Sequence, residues 1–368
     1  MTAVHGGDLI AIGQAFGRDP AALLDFSANI NPLGPPVAVS ALLRAAAERP
    51  TLLGAYPDPR ARKLTAALAA RAAIAEHAIV VANGSAALLD VSVRALAVRR
   101  CVVPVPAFSE YARALAAAGA EMIPFELRAD EAFALDAERL TARVREVGAD
   151  TCLLSNPHNP TGRGEPGAGL HALAARLERV PCAMIVDEAF VDYAPGLSVL
   201  DAGRPLGART IVLRSLTKFY GIPALRIGYG IAPAAIAERI RALLPSWPVG
   251  TLEQQAALAV LADAPYAQET LRTNASARAA LVSDLERLGA RTFVPAANFV
   301  FCDVRRRFAA DATVLRDALI HEHGIVVRTF DDPRYLRVAV RTPKDNTRLI
   351  NALSTYPANP NTGVYRKR

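Results

Sequence analysis

Short apolar runs alternate with alanine-rich stretches of helical period between about residues 78 and 245. Such alternation is typical of strands and helices stacked in an α/β sheet. The predicted strands are AIVVA, CVVPV, EMIPF, TCLLS, CAMIV, TIVLR and IGYGI, and the predicted helices between them span 85–98, 107–119, 136–147 and 168–179. The pattern therefore predicts the α/β fold class.

The pattern changes on both sides of this region. Two predicted helices, 36–49 and 59–75, precede the sheet, and long helices of about 250–262 and 265–288 follow Trp247. The short runs NFVFCDV, GIVVR and YLRVAV then predict strands of a second α+β layer. We expect an N-terminal segment (1–35), a large domain (36–245), a small C-terminal domain (246–357) and a flexible tail (358–368).

The composition narrows the class of protein. A hydrophobic fraction of 52% over 368 residues excludes disorder and is enough for one large or two ordinary domains. No apolar run approaches the ~20 residues of a membrane span, and the first residues lack the features of a signal peptide. We therefore expect a cytoplasmic protein without a membrane partner. Four cysteines stand far apart without CxxC spacing, which favours buried thiols over a metal site or disulfides: Cys101, Cys152, Cys182 and Cys302.

The net charge of +7 comes almost entirely from arginine, because only four lysines occur in the chain. Most basic residues are scattered and followed by acidic ones, as on an ordinary solvated helix surface. The dense basic tracts, 305–307 and 366–368, have no interleaved aromatic residues for base stacking. We therefore predict no nucleic-acid partner.

Lys218 lies in the segment SLTKFYG, directly after the predicted strand TIVLR. One of only four lysines, placed among leucine, phenylalanine and tyrosine, is a candidate for a lowered pKa. An amine nucleophile that makes a Schiff base requires such a pKa. The alternative is an ordinary surface lysine in a loop.

Three further motifs follow predicted strands. Asp187 ends a strand at the carboxyl edge of the sheet, where α/β proteins build their sites, although a turn or a helix cap is the alternative. Asn156 opens the turn-rich segment NPHNPTG. Gly84 and Ser85 begin a helix whose N-terminus can hold a phosphate.

Taken in this order, NPHNPTG, VDEAF, SLTK and Arg226 resemble the fold type I pyridoxal-phosphate enzymes, the aspartate aminotransferase superfamily, over nearly the whole chain. The resemblance implies a mostly parallel central sheet in a large domain and a smaller α+β domain. It implies pyridoxal 5′-phosphate as cofactor, no metal, and a homodimer with shared active sites. Lys218 would bond covalently to the cofactor, and Asp187 would pair with the ring nitrogen, which makes the ring an electron sink.

The same resemblance implies the remaining cofactor contacts. Asn156 would bond the phenolic oxygen, and Phe108 would stack on the ring. The phosphate would be held by the amides of Gly84 and Ser85, the hydroxyls of Ser215 and Thr217, the guanidinium of Arg226, and Tyr56 from the other subunit. Phe190 stands where many aminotransferases have a tyrosine, so one hydrogen bond to the phenolic oxygen is absent. That bond bears on the pKa of the link between the cofactor and the lysine.

The two ends of the chain resemble a narrower group, the threonine-phosphate decarboxylases of cobalamin synthesis and the related histidinol-phosphate aminotransferases. The matching segments are HGGD, DFSANINPLGP and YLRVAVRT. Strand alternation places Arg337 and Arg341 on one face, where side chains two residues apart are separated by roughly 7 Å. Two arginines that point inward need an anion to balance their charge. The family implies substrate contacts from His5, Asn31, Asn156, Arg328, Arg337 and Arg341. Arg337 would take the carboxylate, and Arg328, Arg341 and His5 would surround the phosphate, while the N-terminal segment covers the site.

The reaction depends on which bond at Cα stands perpendicular to the cofactor ring. A carboxylate held out of the ring plane is lost as carbon dioxide, which turns L-threonine-O-3-phosphate into (R)-1-amino-2-propanol phosphate. A carboxylate in the plane leaves the Cα hydrogen to Lys218, as in an aminotransferase for histidinol phosphate or another phosphorylated or phosphonate amino acid. A third alternative is a non-enzymatic regulator, but a fold that starts within about 30 residues leaves no room for a helix-turn-helix domain.

Overall fold

The structure is a computed structural model that describes residues 7–200, 204–305, 307–308 and 311–357. The helices are α1 (Leu9–Phe16), α2 (Val37–Ala47), α3 (Pro50–Leu53), α4 (Arg62–Ala72), α5 (Gly84–Ala95), α6 (Ser109–Ala117), α7 (Ala137–Val147), α8 (Gly167–Glu178), α9 (Ala234–Leu243), α10 (Thr251–Ala262), α11 (Ala264–Arg287), α12 (Ala312–Ala318) and α13 (Pro343–Ser354). Among the described helices, none combines the length and the apolar character that a membrane crossing requires.

The strands fall into three sheets. They are β1 (Leu24–Asp25), β2 (Ile79–Ala82), β3 (Arg100–Val105), β4 (Glu121–Glu126), β5 (Thr151–Ser155), β6 (Ala183–Asp187), β7 (Thr210–Ser215), β8 (Gly228–Ile231), β9 (Arg291–Thr292), β10 (Phe299–Asp303), β11 (Ile325–Val326), β12 (Arg328–Thr329) and β13 (Tyr335–Ala339). Their order is β2-β8-β7-β6-β5-β3-β4 in the largest sheet, β12-β13-β10-β9 in the second and β1-β11 in the third.

The described chain divides into two compact units. The larger unit consists of residues 34–159 and 163–268, and the smaller unit of residues 7–33, 160–162 and 269–357. This division differs from the predicted domains in two respects. Strand β1 pairs with β11, so the N-terminal residues belong with the C-terminal ones instead of forming a separate segment. Helix α10 packs against α2 and α4, so the larger unit continues past residue 245. The predicted tail, 358–368, lies outside the described residues.

The seven-stranded sheet forms the core of the larger unit. Strand β8 runs antiparallel to both of its neighbours, and the other adjacent strands are parallel. Strand β5 is buried along its whole length, as expected for parallel strands with both faces covered. The predicted α/β class, the mostly parallel sheet and the seven strands are confirmed. All four cysteines are buried, as predicted.

Local residues explain the ends of the helices. Asp136 accepts hydrogen bonds from the main-chain N–H groups of Glu138 and Arg139, and it thereby caps the first turn of α7. Gly148 ends the same helix in the left-handed conformation, with a φ of 62°, which glycine adopts without strain. The predicted boundary of 136–147 therefore agrees with α7 to within one residue.

In the smaller unit, two predicted strands change. The run GIVVR divides, so that β11 pairs with β1 while β12 pairs with β13. The run YLRVAV forms a regular strand only as far as Ala339, and Arg341 follows it. The main-chain N–H of Arg341 bonds the Asn346 side chain, so it belongs to the turn that begins α13.

A buried ion pair joins residues next to the ends of β6 and β7. Glu188 is fully buried, and its Oε2 accepts a hydrogen bond from the Arg214 Nε at 2.9 Å. Its Oε1 accepts from the Val199 N–H at 2.7 Å, and the Ser198 hydroxyl donates to Oε2 at 3.1 Å. Burial raises the pKa of Glu188, while Arg214 acts in the opposite direction.

We predict that Glu188→Ala lowers the free energy of unfolding by about 3–5 kcal/mol, because it removes the carboxylate that balances a buried arginine. Urea unfolding followed by circular dichroism measures this difference. The matched control is Glu121→Ala, which breaks an exposed pair with Arg100 and should cost at most about 1 kcal/mol. Equal losses in the two variants would contradict the prediction.

Candidate active site

The carboxyl ends of β5, β6 and β7 meet at one edge of the large sheet. Ser155 and Asp187 are register partners across β5 and β6, and Asp187 is opposite Leu213 of β7. The Asn156 N–H donates to the Asp187 carbonyl at 2.9 Å. Lys218 follows β7 by three residues. The parallel strands therefore bring together motifs that are far apart in the sequence.

The Asp187 carboxylate is held from two sides. The Tyr111 hydroxyl donates to Oδ2 at 2.9 Å, and the Ala189 N–H donates to Oδ1 at 3.0 Å. Burial raises the pKa of Asp187, and these two bonds and the charge of Lys218 oppose that rise. The carboxylate is thus suited to pair with a cation.

Tyr111 was not among the predicted site residues. It is a 1% exposed tyrosine in the alanine-rich helix α6, three positions after Phe108. A large polar aromatic residue in an alanine-rich helix next to a predicted site residue was the available signal.

Lys218 has the electrostatic environment expected of a nucleophilic amine. Burial lowers its pKa, the positive charge of Arg226 lowers it further, and Asp187 acts in the opposite direction. A lowered pKa increases the neutral fraction of the amine, which is the form that attacks a carbonyl carbon. The environment of this lysine agrees with the sequence-based expectation.

A positively polarised cradle forms where α5 begins. The Asn83 side chain does not cap this helix, and Gly84 opens it with a φ of +84°. A Cβ atom at Gly84 would lie 2.8 Å from the Arg226 Nη2, and one at Gly228 would lie 2.7 Å from the Ser85 nitrogen. Only glycine permits these approaches. The cradle thus combines a helix N-terminus with a guanidinium, and both attract anions.

Two hydroxyl groups lie next to this cradle. Ser215 is the register partner of Gly228, and its Oγ is 2.7 Å from the Thr217 Oγ1. Both side chains are 1% exposed. Arg226 adopts a φ of +41°, a left-handed conformation uncommon for a residue other than glycine. The structure therefore brings together the five predicted phosphate contacts that belong to one subunit.

Asn156 has a different bonding pattern from the predicted one. Its Nδ2 donates to the carbonyls of Glu165 at 2.9 Å and Leu197 at 2.7 Å, and its Oδ1 accepts from the Glu165 N–H. A primary amide has only two N–H groups, so both of its donors are used by the main chain. The predicted bond to the cofactor's phenolic oxygen and the predicted substrate contact do not agree with this arrangement. Asn159, a second buried asparagine of the same loop, was missed.

The aromatic residues predicted around the cofactor occupy different environments. Phe108 is half-buried, and its ring meets the Tyr111 ring edge-on with centroids 5.7 Å apart. Phe190 is buried just after β6. Tyr56 is 80% exposed and stacks on Trp247 with ring centroids 4.4 Å apart.

The smaller unit contains a pair of like charges. Arg328 and Arg337 are register partners on β12 and β13. The Arg337 Nη2 donates to the Ser27 carbonyl at 2.9 Å, and its guanidinium lies over the Phe299 ring. Burial, together with the charge of Arg328, lowers the pKa of Arg337 to about 9, although Asp25 acts in the opposite direction. Like charges directly opposite each other destabilise a sheet, so this pair favours an anionic ligand.

Arg341 and His5 were also predicted to contact the substrate phosphate. The Arg341 Nε bonds Asp345 at 3.2 Å, and its Nη1 donates to the Asp25 carbonyl at 3.0 Å. This guanidinium therefore already has a carboxylate partner. His5 lies outside the described residues.

Two neighbouring asparagines differ in their bonding. The Asn31 Nδ2 donates to the Thr270 hydroxyl at 2.9 Å, and its Oδ1 accepts from the Leu33 N–H. By contrast, the Asn29 Oδ1 is buried and has no hydrogen-bond partner among the described residues. Sequence reasoning selected Asn31 and missed Asn29, although both lie in the same quoted segment.

The larger unit has the chemical groups that pyridoxal 5′-phosphate needs. The glycine-shaped cradle suits its phosphate, and the half-buried carboxylate of Asp187 suits a protonated ring nitrogen. Lys218 supplies an amine of lowered pKa for its aldehyde. Within the described ranges, no group of three or more histidine, cysteine, aspartate or glutamate residues is arranged to hold a metal ion.

Comparison with known proteins agrees with this fit. The family described as "Aminotransferase class I and II" matches residues 21–353. Threonine-phosphate decarboxylase of Salmonella typhimurium is 33% identical, with 96% of each chain covered. Histidinol-phosphate aminotransferase 2 of Pseudomonas aeruginosa is 32% identical, with 95% of this chain and 93% of that one covered.

A solved structure shares the fold. Histidinol-phosphate aminotransferase from Sinorhizobium meliloti, in complex with pyridoxal-5′-phosphate, superimposes with a TM-score of 0.84 at 24% identity, and 96% of this chain and 97% of that one are covered. The family match spans most of the chain, and the cradle, the carboxylate and the lysine are all present. This chain therefore belongs to the class I and II aminotransferase family, and its cofactor is pyridoxal 5′-phosphate.

Proposed function

We propose that this enzyme decarboxylates L-threonine-O-3-phosphate to (R)-1-amino-2-propanol phosphate and carbon dioxide, as a step of cobalamin synthesis. The observation that carries the proposal is the cross-strand pair of Arg328 and Arg337. L-Threonine-O-3-phosphate has two anionic groups, a carboxylate and a phosphate, whereas histidinol phosphate has only a phosphate. Two opposed arginines are better balanced by the doubly anionic substrate.

Each arginine has a proposed partner. Arg337 binds the substrate carboxylate, and Arg328 binds the phosphate with help from His5 and Arg341. The bond between Arg337 and the Ser27 carbonyl fixes the guanidinium before substrate arrives, which lowers the entropic cost of holding the carboxylate in one orientation. The buried amide of Asn29 joins this set, because a carboxamide can both donate to and accept from a substrate.

Pyridoxal 5′-phosphate, when bound, supplies an electron sink for the bond that breaks at Cα. We propose that Gly84, Ser85, Ser215, Thr217 and Arg226 hold its phosphate, and that Phe108 stacks on its ring. Asp187 faces the ring nitrogen, and Asn159 replaces Asn156 at the phenolic oxygen. The Lys218 Nζ then delivers the proton to Cα after carbon dioxide has left, because burial lowers the pKa of this amine and so eases the release of its proton.

The second candidate is an aminotransferase for histidinol phosphate or for another phosphorylated or phosphonate amino acid. The similarity to the Pseudomonas aeruginosa enzyme favours it. In that reaction Lys218 would remove the Cα hydrogen and the carboxylate would stay on the substrate. The two reactions therefore differ in their need for a keto acid.

We also propose a homodimer in which Tyr56 reaches the cofactor phosphate of the other subunit. The support is the stacked pair of Tyr56 and Trp247, which are 80% and 47% exposed. Exposed aromatic residues are enriched at interfaces.

Incubation with L-threonine-O-3-phosphate should release carbon dioxide in the absence of any keto acid, with one equivalent of aminopropanol phosphate. Carbon dioxide trapping and mass spectrometry of the product measure the two yields, with and without 2-oxoglutarate. Turnover that strictly requires 2-oxoglutarate would reject the decarboxylase in favour of the aminotransferase.

The variant Lys218→Ala serves as the catalytic control of this assay. Loss of the proton-transferring amine should lower kcat by about 10²–10⁴-fold or more. Lys63→Ala, which changes an exposed lysine of α4, should retain wild-type turnover. Borohydride should fix the cofactor to a peptide containing Lys218, and unchanged turnover of Lys218→Ala would disprove its assigned role.

The two asparagines of the N-terminal segment allow a matched comparison. We expect Asn29→Ala to raise KM for L-threonine-O-3-phosphate by about 10- to 100-fold, the effect of one hydrogen bond to a charged group. Asn31→Ala should leave KM close to the wild-type value, because its amide is bonded to Thr270. Steady-state kinetics test both variants, and the opposite ranking would favour the original assignment of Asn31.

The dimer can be tested at its exposed aromatic pair. Tyr56→Ala should raise the dimer dissociation constant about tenfold or more, because large aromatic residues dominate interface energies. Sedimentation velocity over a concentration series measures this change. Val294→Ala, which truncates another exposed apolar residue, is the control, and a fully active monomeric wild-type enzyme would refute the proposal.

A further inference from the structure

A chain of hydrogen bonds leads from the loop after β5 to the Asp187 carboxylate. The Asn159 N–H donates to the Ser155 Oγ at 3.0 Å, and the Ser155 side chain acts on Tyr111 as a hydrogen-bond donor, which opposes the rise in the pKa of the phenol. Tyr111 then donates to the Asp187 Oδ2 at 2.9 Å. All four residues belong to the larger unit, and at most 9% of the Tyr111, Ser155 or Asn159 side chain is exposed.

The direction of this chain is fixed by its ends. A main-chain N–H can only donate, so the Ser155 oxygen accepts there and gives its single proton to Tyr111. Tyr111 likewise has one proton, which it gives to Asp187. An ionised carboxylate is an acceptor only, so the chain ends on the charged form of Asp187.

The surroundings of Tyr111 keep it a donor. Burial and the nearby charge of Asp187 raise the pKa of Tyr111 well above its ordinary value, so the phenol stays neutral. Its ring also supports Phe108 edge-on. The hydroxyl and the ring of this residue therefore have separate contacts, and the two can be tested separately.

We propose that Tyr111 is a positioning residue, which holds Asp187 ionised and aimed at the ring nitrogen of the cofactor, and that Ser155 aligns its hydroxyl. Without the hydroxyl, Oδ2 loses a charge-assisted bond in a buried site. This inference rests on cofactor binding and is independent of the choice between decarboxylation and transamination.

The test is Tyr111→Phe, which removes the hydroxyl and keeps the ring. The holoenzyme is freed of cofactor by dialysis, and rebinding of pyridoxal 5′-phosphate is titrated by its visible absorbance between pH 5 and 9. We expect the affinity at neutral pH to fall about 10- to 100-fold, as for one lost bond to a charged group.

The pH profile separates this role from a purely structural one. The Tyr111 bond lowers the pKa of Asp187, so its removal raises that pKa further. Because binding requires the ionised carboxylate, affinity should be lost at a higher pH on acidification in the variant than in the wild type. A packing defect alone would lower the affinity without moving the pH at which half of the affinity is lost.

Two further variants complete the experiment. Tyr229→Phe removes the hydroxyl of another buried tyrosine, on β8, and should bind and titrate like the wild type. Ser155→Ala breaks the chain of hydrogen bonds one step earlier. It should shift the midpoint of the pH profile in the same direction as Tyr111→Phe, but by less. Should Tyr111→Phe be unstable, as judged by thermal unfolding, Ser155→Ala provides the test. The proposal is overturned if the two chain variants titrate like Tyr229→Phe.

Discussion

Two adjacent carboxylates lie where β6 ends, the half-buried Asp187 and the fully buried Glu188, and a charge withdrawn from water is stable only with partners. Glu188 faces Arg214, which fixes the end of β7 beside β6. Asp187 is held by Tyr111 and faces the charge of Lys218. The end of β6 thus carries two carboxylates with different partners, one bonded to an arginine of the sheet and the other bonded to Tyr111 and influenced by the charge of Lys218.

The sequence predicted the large sheet well because most of its strands are buried along nearly their whole length. Such strands read as continuous apolar runs, and each run from AIVVA to IGYGI became a strand. The two-residue strand β1 was not predicted, since two residues carry no periodicity. Its pairing with β11 joins distant parts of the chain, and no local pattern encodes that contact. For the same reason, the predicted boundaries of the N-terminal segment and the small domain differ from the observed units.

Motif position predicted which residues lie at the sheet edge, since Asp187 ends β6 and Lys218 follows β7 by three residues. It could not distinguish the amides within one loop. The sequence does not show that main-chain carbonyls accept both hydrogen bonds of the Asn156 side chain. Tyr111 is 76 positions from its carboxylate, and only the folded chain reveals that bond. A contact between residues so far apart in the chain is therefore one that sequence reasoning overlooks.

Gly84 and Gly228 contribute no side chain, yet the cradle depends on them. A side chain at Gly228 would meet main-chain atoms of Arg214 and Ser85 at 2.7 Å, and backbone cannot move aside as a flexible side chain can. Gly84 is further restricted by its positive φ. Substitution is thus restricted at two positions that offer no side chain, so at this edge of the sheet the tolerance of the enzyme to mutation is set by main-chain geometry and space.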